Sequence, residues 1–183
     1  MSGSAPSAHA LRVSDLPQNA GTAFEIVPDA ATLAELAQTL GLDGLRKLRL
    51  SGTVSGHGKA DWVLQARLGA TVVQPCGVTL APVTTRIDTE VRRHYLRDYE
   101  EPEAPEVEMP EDETIEPLAK WIDPEAVMIE ALSLEIPEFP RASDAAMGEV
   151  VATEPGKQAL RDADLKPFAG LAALKTQMGD KEG

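Results

Sequence analysis

The chain has 183 residues and a net charge of −13; 43% of it is hydrophobic but only 4% is aromatic. This length suits one domain with tails, whose core must then be built from Leu, Val, Ile and Ala. A single cysteine excludes an intramolecular disulfide and a cysteine-rich zinc site. The sequence has no export leader and no apolar run of about 18 residues that would span a membrane, so we expect a cytoplasmic protein with no membrane partner.

The negative charge is concentrated in the second half. Residues 1–97 hold ten Lys and Arg against eight Asp and Glu, whereas residues 98–183 hold seven against twenty-two. A uniformly acidic protein repels nucleic acid, but a near-neutral body with an acidic tail does not have to. The net charge of the chain therefore does not exclude nucleic-acid binding by residues 1–97.

The chain begins with small polar residues over 1–10, which we expect to be disordered. Apolar and polar residues alternate from Leu11 to Leu16, and Pro17 follows, which predicts a short strand. A second strand is predicted over Thr22–Val27, before Pro28.

A first helix is predicted up to Leu40. Asp29 or Thr32 is its N-cap, and Thr32 with Glu35 has the spacing of a capping box. Gly41 has the position of a left-handed C-terminal cap. The apolar positions fall on one face, which predicts packing on a sheet; they are Leu33, Leu36, Ala37 and Leu40.

Three long strands are predicted next, over Leu45–Gly56, Asp61–Pro75 and Leu80–Leu96. Short turns join them, so an antiparallel meander is expected. In the middle strand the apolar phase changes near Gly69 and Ala70, which predicts a β-bulge there.

Residues 98–116 hold ten acidic residues and no basic one, which predicts a mobile loop. A short strand or helix lead-in is then expected over Leu118–Ile122. Asp123 followed by Pro124 is a strong helix start, and the helix should end at Ile136, before Pro137.

Residues 141–183 are predicted to be flexible, with a docking motif over 166–175. Its candidate contact residues are Phe168, Leu171, Leu174 and Lys175. The fold class predicted is therefore α+β: an antiparallel meander or partly closed sheet with two helices packed on it. A single domain should span residues 11–140, with the acidic loop and the tethered C-terminal segment outside its core.

No motif points to catalysis. His9, His57 and His94 lie apart from any metal-binding or hydrolase pattern, and the carboxylates are concentrated in the acidic loop. Cys76 has no cationic neighbour in sequence, so a structural thiol in a turn is favoured over a reactive one. We expect no catalytic residue, no metal and no cofactor.

The remaining constellation is basic and lies on the long strands. Antiparallel pairing of these strands could gather the cations on one face for phosphate contacts, with Tyr95 available for stacking. The alternative is an ordinary solvated surface. The candidate RNA or partner contacts are Arg46, Lys47, Arg49, Arg92, Arg93, His94, Tyr95 and Arg97, and Arg67 and Arg86 are placed to join them.

Three features in order carry a family resemblance: the turn with Cys76, Thr79 and Pro82, the helix start at Ile122–Asp123 with Glu130, and the ending over 167–175, Pro-Phe-Ala-Gly-Leu-Ala-Ala-Leu-Lys. Together they resemble the YceD family of large ribosomal RNA subunit accumulation proteins. In that family the turn is often Cys-x-x-Cys. Thr79 stands here at the second cysteine, so a metal site built on that pair is not expected.

The resemblance implies a non-enzymatic role in the accumulation or processing of large-subunit (23S) rRNA during ribosome biogenesis. The partner would be large-subunit rRNA, a pre-ribosomal particle or a basic ribosomal protein. Two hypotheses stay open. In one, the basic strands bind rRNA and the acidic loop limits nonspecific binding; in the other, the chain is an adaptor whose acidic loop and C-terminal motif engage a basic protein.

Overall fold

The fold is taken from a computed structural model, which describes residues 6–99 and 114–146. Seven strands and two helices follow one another along this part of the chain. Their bounds are β1 Leu11–Arg12, β2 Thr22–Ile26, α1 Ala30–Thr39, β3 Gly44–His57, β4 Asp61–Pro75, β5 Pro82–Leu96, β6 Ile115–Pro117, β7 Trp121–Ile122 and α2 Pro124–Glu135. A short 3-10 helix, Val13–Asp15, lies between β1 and β2.

The centre of the fold is a five-stranded sheet in the order β2-β3-β4-β5-β6. The first three pairings are antiparallel, as the short turns predict, and the last, between β5 and β6, is parallel. Within the described residues β2 and β6 do not pair, so the sheet is open rather than partly closed. A separate two-stranded ribbon joins β1 to β7. The predicted α+β class is confirmed.

One face of the sheet carries the core. Alternate residues of β3, β4 and β5 are buried there, among them Leu50, Leu64 and Leu68, each fully buried. Both helices pack on this face, with Ala37 of α1 and Met128 of α2 in the same cluster. This leaves the opposite face of the sheet without a helix among the described residues.

The capping residues explain where α1 begins and ends. The Asp29 carboxylate accepts the backbone N–H of Thr32 at 2.8 Å, so Asp29 is the N-cap and the Thr32–Glu35 capping box is wrong. Gly41 has a φ of 65°, and the N–H groups of Gly41 and Leu42 bond the carbonyls of Gln38 and Ala37. This is a Schellman ending, which confirms the predicted left-handed cap.

Helix α2 begins at Pro124, and Asp123 is its N-cap, as predicted. The Asp123 carboxylate also accepts two hydrogen bonds from Ser7, from its N–H at 2.8 Å and its hydroxyl at 2.6 Å. Ser7 lies in the segment expected to be disordered, so that expectation is wrong for Ser7. The contact fastens the start of the chain to the start of α2.

Two strand predictions need correction. The first predicted strand, Leu11–Leu16, is extended only at Leu11–Arg12, because the chain then turns into the 3-10 helix. The acidic loop was predicted to reach residue 116, but Ile115–Pro117 forms β6. Hydrogen bonds from His94 N–H to the Thr114 carbonyl and from Leu118 N–H to the Leu96 carbonyl hold β6 beside β5.

The predicted bulge lies on the neighbouring strand. Strand β4 pairs with β5 in unbroken register, whereas the register of β3 against β4 shifts between Arg46 and Arg49, where β3 has one extra residue. The extra residue resets the alternation, so that both Leu45 and Leu48 are buried. The phase change near Gly69 therefore predicts the position of the bulge along the sheet, but the bulge lies on β3 and not on β4.

Two predicted segments fall mainly outside the described residues. These are the acidic loop, of which residues 100–113 are not described, and the docking motif with Phe168, Leu171, Leu174 and Lys175. Residues 6–99 and 114–143 belong to one compact unit.

Candidate nucleic-acid interface

The sheet face away from the helices, which we call the outer face, gathers most of the predicted basic residues. Residues paired across β3, β4 and β5 share a face, so the register places Arg46 beside Thr71 and Arg86, and Arg49 beside Gly69 and Asp88. The next two rows are Ser51, Arg67, Glu90 and Thr53, Gln65, Arg92.

The centre of the outer face is a shallow depression of about 530 Å³. Small residues form its floor: Ser51, Gly69 and Thr71. Four cations and one carboxylate surround them; they are Lys47, Arg49, Arg67, Arg86 and Asp88. The hydroxyl groups of the floor and the cationic groups around it can donate hydrogen bonds to phosphate oxygens.

Gly69 makes room for Arg86. A Cβ atom at Gly69 would lie 2.7 Å from the Arg86 guanidinium, so the arginine extends across the glycine backbone. This places Arg86 flat on the sheet and its guanidinium 3.5 Å from the Asp88 carboxylate. The predicted joining of Arg67 and Arg86 to the basic strands is thus seen in the structure.

Carboxylates neutralise only part of the positive charge. Asp88 bonds Arg67 Nε at 2.6 Å, and Glu25 bonds Arg49 Nε at 2.9 Å. The hydrogen bond from Arg67, with its charge, lowers the pKa of Asp88, so the carboxylate stays ionised. With Lys47 of the depression, the register gives the described outer face six cations and four carboxylates, Glu25, Asp61, Asp88 and Glu90, which leaves it positive.

Lys47 lies in the bulge with a φ of 53°, in the left-handed region that favours glycine. A lysine there costs backbone free energy, of the order of 1 kcal/mol. Bulges are frequent next to functional sites, where they redirect a side chain. The bulge presents Lys47 at the rim of the depression, beside Arg49.

Two predicted contact residues face the other way. Arg93 and Tyr95 pair with Leu64 and Trp62, which lie on the core face. Tyr95 is only 5% exposed, and burial raises its pKa. It therefore offers no ring to a base, and the prediction that it stacks on RNA is wrong.

Arg93 holds the sheet to α2 instead of facing solvent. Its side chain, 12% exposed, bonds Glu130 of α2 at 2.8 Å and Glu116 of β6 at 3.1 Å. Burial and the nearby Glu130 raise the pKa of Glu116, while Arg93 opposes that rise. Arg93 is thus already paired, and its predicted role in phosphate contact has to be withdrawn.

The remaining predicted residues lie near one end of β5. His94 is on the outer face, and its ring lies 6.2 Å from that of His57, edge to face. Arg97 follows β5 and lies away from the outer face, with its backbone N–H bonded to Asp61 at 3.0 Å.

The turn that marks the family resemblance encloses the only cysteine. The Cys76 sulfur is fully buried and accepts N–H groups from Val78, Thr79 and Ala142 at 3.4 to 3.5 Å. The Thr79 hydroxyl above all, with these N–H groups, lowers the pKa of the Cys76 thiol to about 6, although burial opposes this. Pro82 begins β5 opposite Pro75.

Among the described residues, no group of three or more His, Cys, Asp or Glu side chains is placed to hold a metal ion. In the same part of the chain, none of the helices has the length and apolar character needed to cross a membrane.

One of three comparisons with known proteins identifies a similar family. A family model described as large ribosomal RNA subunit accumulation protein YceD matches residues 64–175, more than half of the chain. The matched range begins in β4 and includes β5, the Cys76 turn and α2. Searches of curated proteins and of solved structures give no match.

Proposed function

The chain belongs to the YceD family of large ribosomal RNA subunit accumulation proteins, and from this membership we propose that it supports large-subunit (23S) rRNA accumulation by binding RNA through its outer face. The role is non-enzymatic and belongs to ribosome biogenesis in the cytoplasm. The partner is large-subunit rRNA, free or in a pre-ribosomal particle. The observation that carries this proposal is the depression ringed by Lys47, Arg49, Arg67 and Arg86, which neither of the described helices covers.

The chemistry of the depression favours the sugar–phosphate backbone over base edges. Arginine and lysine contact phosphate, and serine and threonine hydroxyls add hydrogen bonds, but none of these reads sequence by itself. The face is a sheet rather than a projecting helix, and its buried Tyr95 leaves it without a stacking ring at that position. Binding through this face should therefore depend on RNA shape and on salt more than on sequence.

The test compares two lysine substitutions with the same change in charge. Lys47→Glu alters the rim of the depression, whereas Lys59→Glu lies in the exposed turn between β3 and β4. We expect Lys47→Glu to weaken binding to large-subunit rRNA fragments roughly three- to tenfold and to reduce the slope of log K against log salt by about 0.7–0.9. Equal effects of the two variants would reject the outer face as the binding surface.

A second candidate is an adaptor that binds a basic ribosomal protein. The excess of acidic residues over 98–183, twenty-two against seven basic ones, favours it. Replacing the eight carboxylates of residues 100–113 by amides discriminates between the two functions, and this change spares Glu116, which pairs with Arg93. RNA affinity should rise if the outer face binds RNA, whereas binding of the basic protein should fall if the chain is an adaptor.

A further inference from the structure

A second basic surface lies away from the outer face and contains the more exposed of the two tryptophans. It is a groove of about 480 Å³ between the β1–β7 ribbon and the end of β5. Its lining residues are Arg12, Val13, Ser14, Arg97, Leu118, Ala119, Lys120 and Trp121. The volume falls within the range of small-ligand sites, roughly 300–1,000 Å³.

The ribbon explains why Trp121 faces outwards. Strand β7 pairs Ile122 with Leu11 and Trp121 with Arg12. Ile122 is 1% exposed and belongs to the core, so its neighbour Trp121 lies on the opposite side and is 42% exposed. A hydrogen bond from Val13 N–H to the Lys120 carbonyl extends the pairing and fixes the ring's strand in place.

Three cations share the groove with the indole: Arg12, Arg97 and Lys120. The groove lining includes no carboxylate, and among the described residues none of the three cations forms an ion pair. Asp61 accepts the backbone N–H of Arg97 and not its guanidinium. Within the part of the chain that the structure describes, the groove therefore offers an aromatic face together with positive charge that no carboxylate pairs with.

We propose that this groove binds an unpaired nucleotide of single-stranded RNA, with its base stacked on Trp121 and its phosphates contacted by Arg12, Arg97 and Lys120. Single-stranded nucleic acid is bound by this combination, because every base has a stacking face and every nucleotide carries a phosphate. An acidic peptide would satisfy the cations but would leave the indole without a flat partner. The inference rests on the proposed RNA-binding function and adds a second contact to it.

Intrinsic fluorescence tests the stacking directly. Trp62 is 3% exposed and buried in the core, so a change in quenching on binding reports on Trp121. The probes are a short oligouridylate, an RNA duplex of equal length and an oligoglutamate of equal charge, each added to the full chain at low salt. The variants are Trp121→Ala, Trp121→Phe and Lys47→Glu.

We expect the single strand to quench the fluorescence of the wild-type chain. Trp121→Ala should weaken binding of that strand about tenfold and leave duplex binding unchanged, while Trp121→Phe keeps the ring and most of the affinity. Lys47→Glu should weaken RNA binding through the outer face, but the quenching at saturating single strand should stay as large as in the wild-type chain. Circular dichroism melts establish that the variants remain folded. If Trp121→Ala does not fold, the affinity of Trp121→Phe for the single strand takes its place in the comparison.

Three results would overturn the proposal. RNA binding that depends on Lys47 but neither quenches Trp121 nor responds to its substitution would remove the groove and leave the outer face as the RNA site. Equal quenching by oligoglutamate would show that charge alone is recognised. No binding of any RNA would reject this inference and the proposed function together.

Discussion

The backbone N–H of Thr79 donates a hydrogen bond to the sulfur of Cys76 at 3.5 Å, and the Thr79 hydroxyl is the main cause of the lowered pKa of that thiol. In the Cys-x-x-Cys turn that the family resemblance describes, a second cysteine would occupy the position of Thr79. Thr79 thus turns a position suited to metal ligation into one that stabilises a single thiolate by hydrogen bonding.

The thiol makes stability depend on pH. Hydrogen bonds lower the Cys76 pKa to about 6 in the folded chain, below the value of about 8.5 for a free cysteine. Because the folded pKa is the lower one, the stabilisation is complete above the unfolded pKa and is lost as the pH falls towards 6. We expect the free energy of unfolding, measured in urea, to rise between pH 6 and 8.5.

Cys76→Ala provides the control for this pH dependence. It removes the thiol, and the cavity that it leaves costs the same at every pH. The difference in stability between wild type and variant should therefore widen as the pH rises. Parallel profiles would show that the thiol does not ionise in this range.

Arg93 should matter for stability and not for RNA. Arg93→Gln leaves Glu116 and Glu130 without their cation, and we expect a loss of about 1–3 kcal/mol in unfolding free energy. Arg92→Gln, on the neighbouring exposed residue, should change stability by less than about 0.5 kcal/mol. Chemical denaturation measures both. A smaller cost of Arg93→Gln in a Glu130→Gln background would confirm that the ion pair is the cause.

Lys47 should show a conflict between stability and binding. Lys47→Gly relieves the left-handed backbone, so we expect it to be more stable than Lys47→Ala by about 1 kcal/mol. Both variants lose the charge and should bind RNA equally weakly. If glycine and alanine give the same stability, the backbone at this position is not strained.

Gly52 should tolerate no side chain. A Cβ atom there would lie 2.1 Å from the Gln65 carbonyl oxygen and 2.6 Å from the Ala66 Cα, both backbone atoms. Gly52→Ala should therefore destabilise the chain by about 3 kcal/mol or more. Gly44→Ala, whose Cβ would make an ordinary 3.6 Å contact with Val73, is the control in the same strand. Thermal melting compares the stability of the two variants, and an equal loss in both would contradict the prediction.

The sequence predicts local structure correctly where a single residue type determines it. Asp123 before Pro124 and Gly41 after Leu40 set helix ends by backbone hydrogen bonding, which depends on neighbours in sequence. The orientation of Arg93 and Tyr95 can also be predicted from the sequence, because both continue the alternation of Ile87 and Val91, the apolar residues that β5 buries on the core face. Their basic and aromatic character obscured that phase.

Other features depend on contacts between distant segments. The groove around Trp121 is formed by β1, the end of β5 and the residues before β7, so no local sequence pattern predicts it. The bulge at Lys47 likewise needs the register of β3 against β4. The pairing of Arg93 with Glu116 and Glu130 requires a parallel strand that the acidic composition concealed.

The parallel pairing of β5 and β6 has a practical consequence. The chain leaves the sheet after Leu96 and returns at Ile115 beside His94, with Leu96 next to Pro117. Because the two ends are held together by the sheet, changing the length of residues 100–113 costs little, about 0.6 kcal/mol for each doubling. This position is therefore an insertion site for a fluorescent or affinity module, which would report on the protein's partners while leaving the sheet intact.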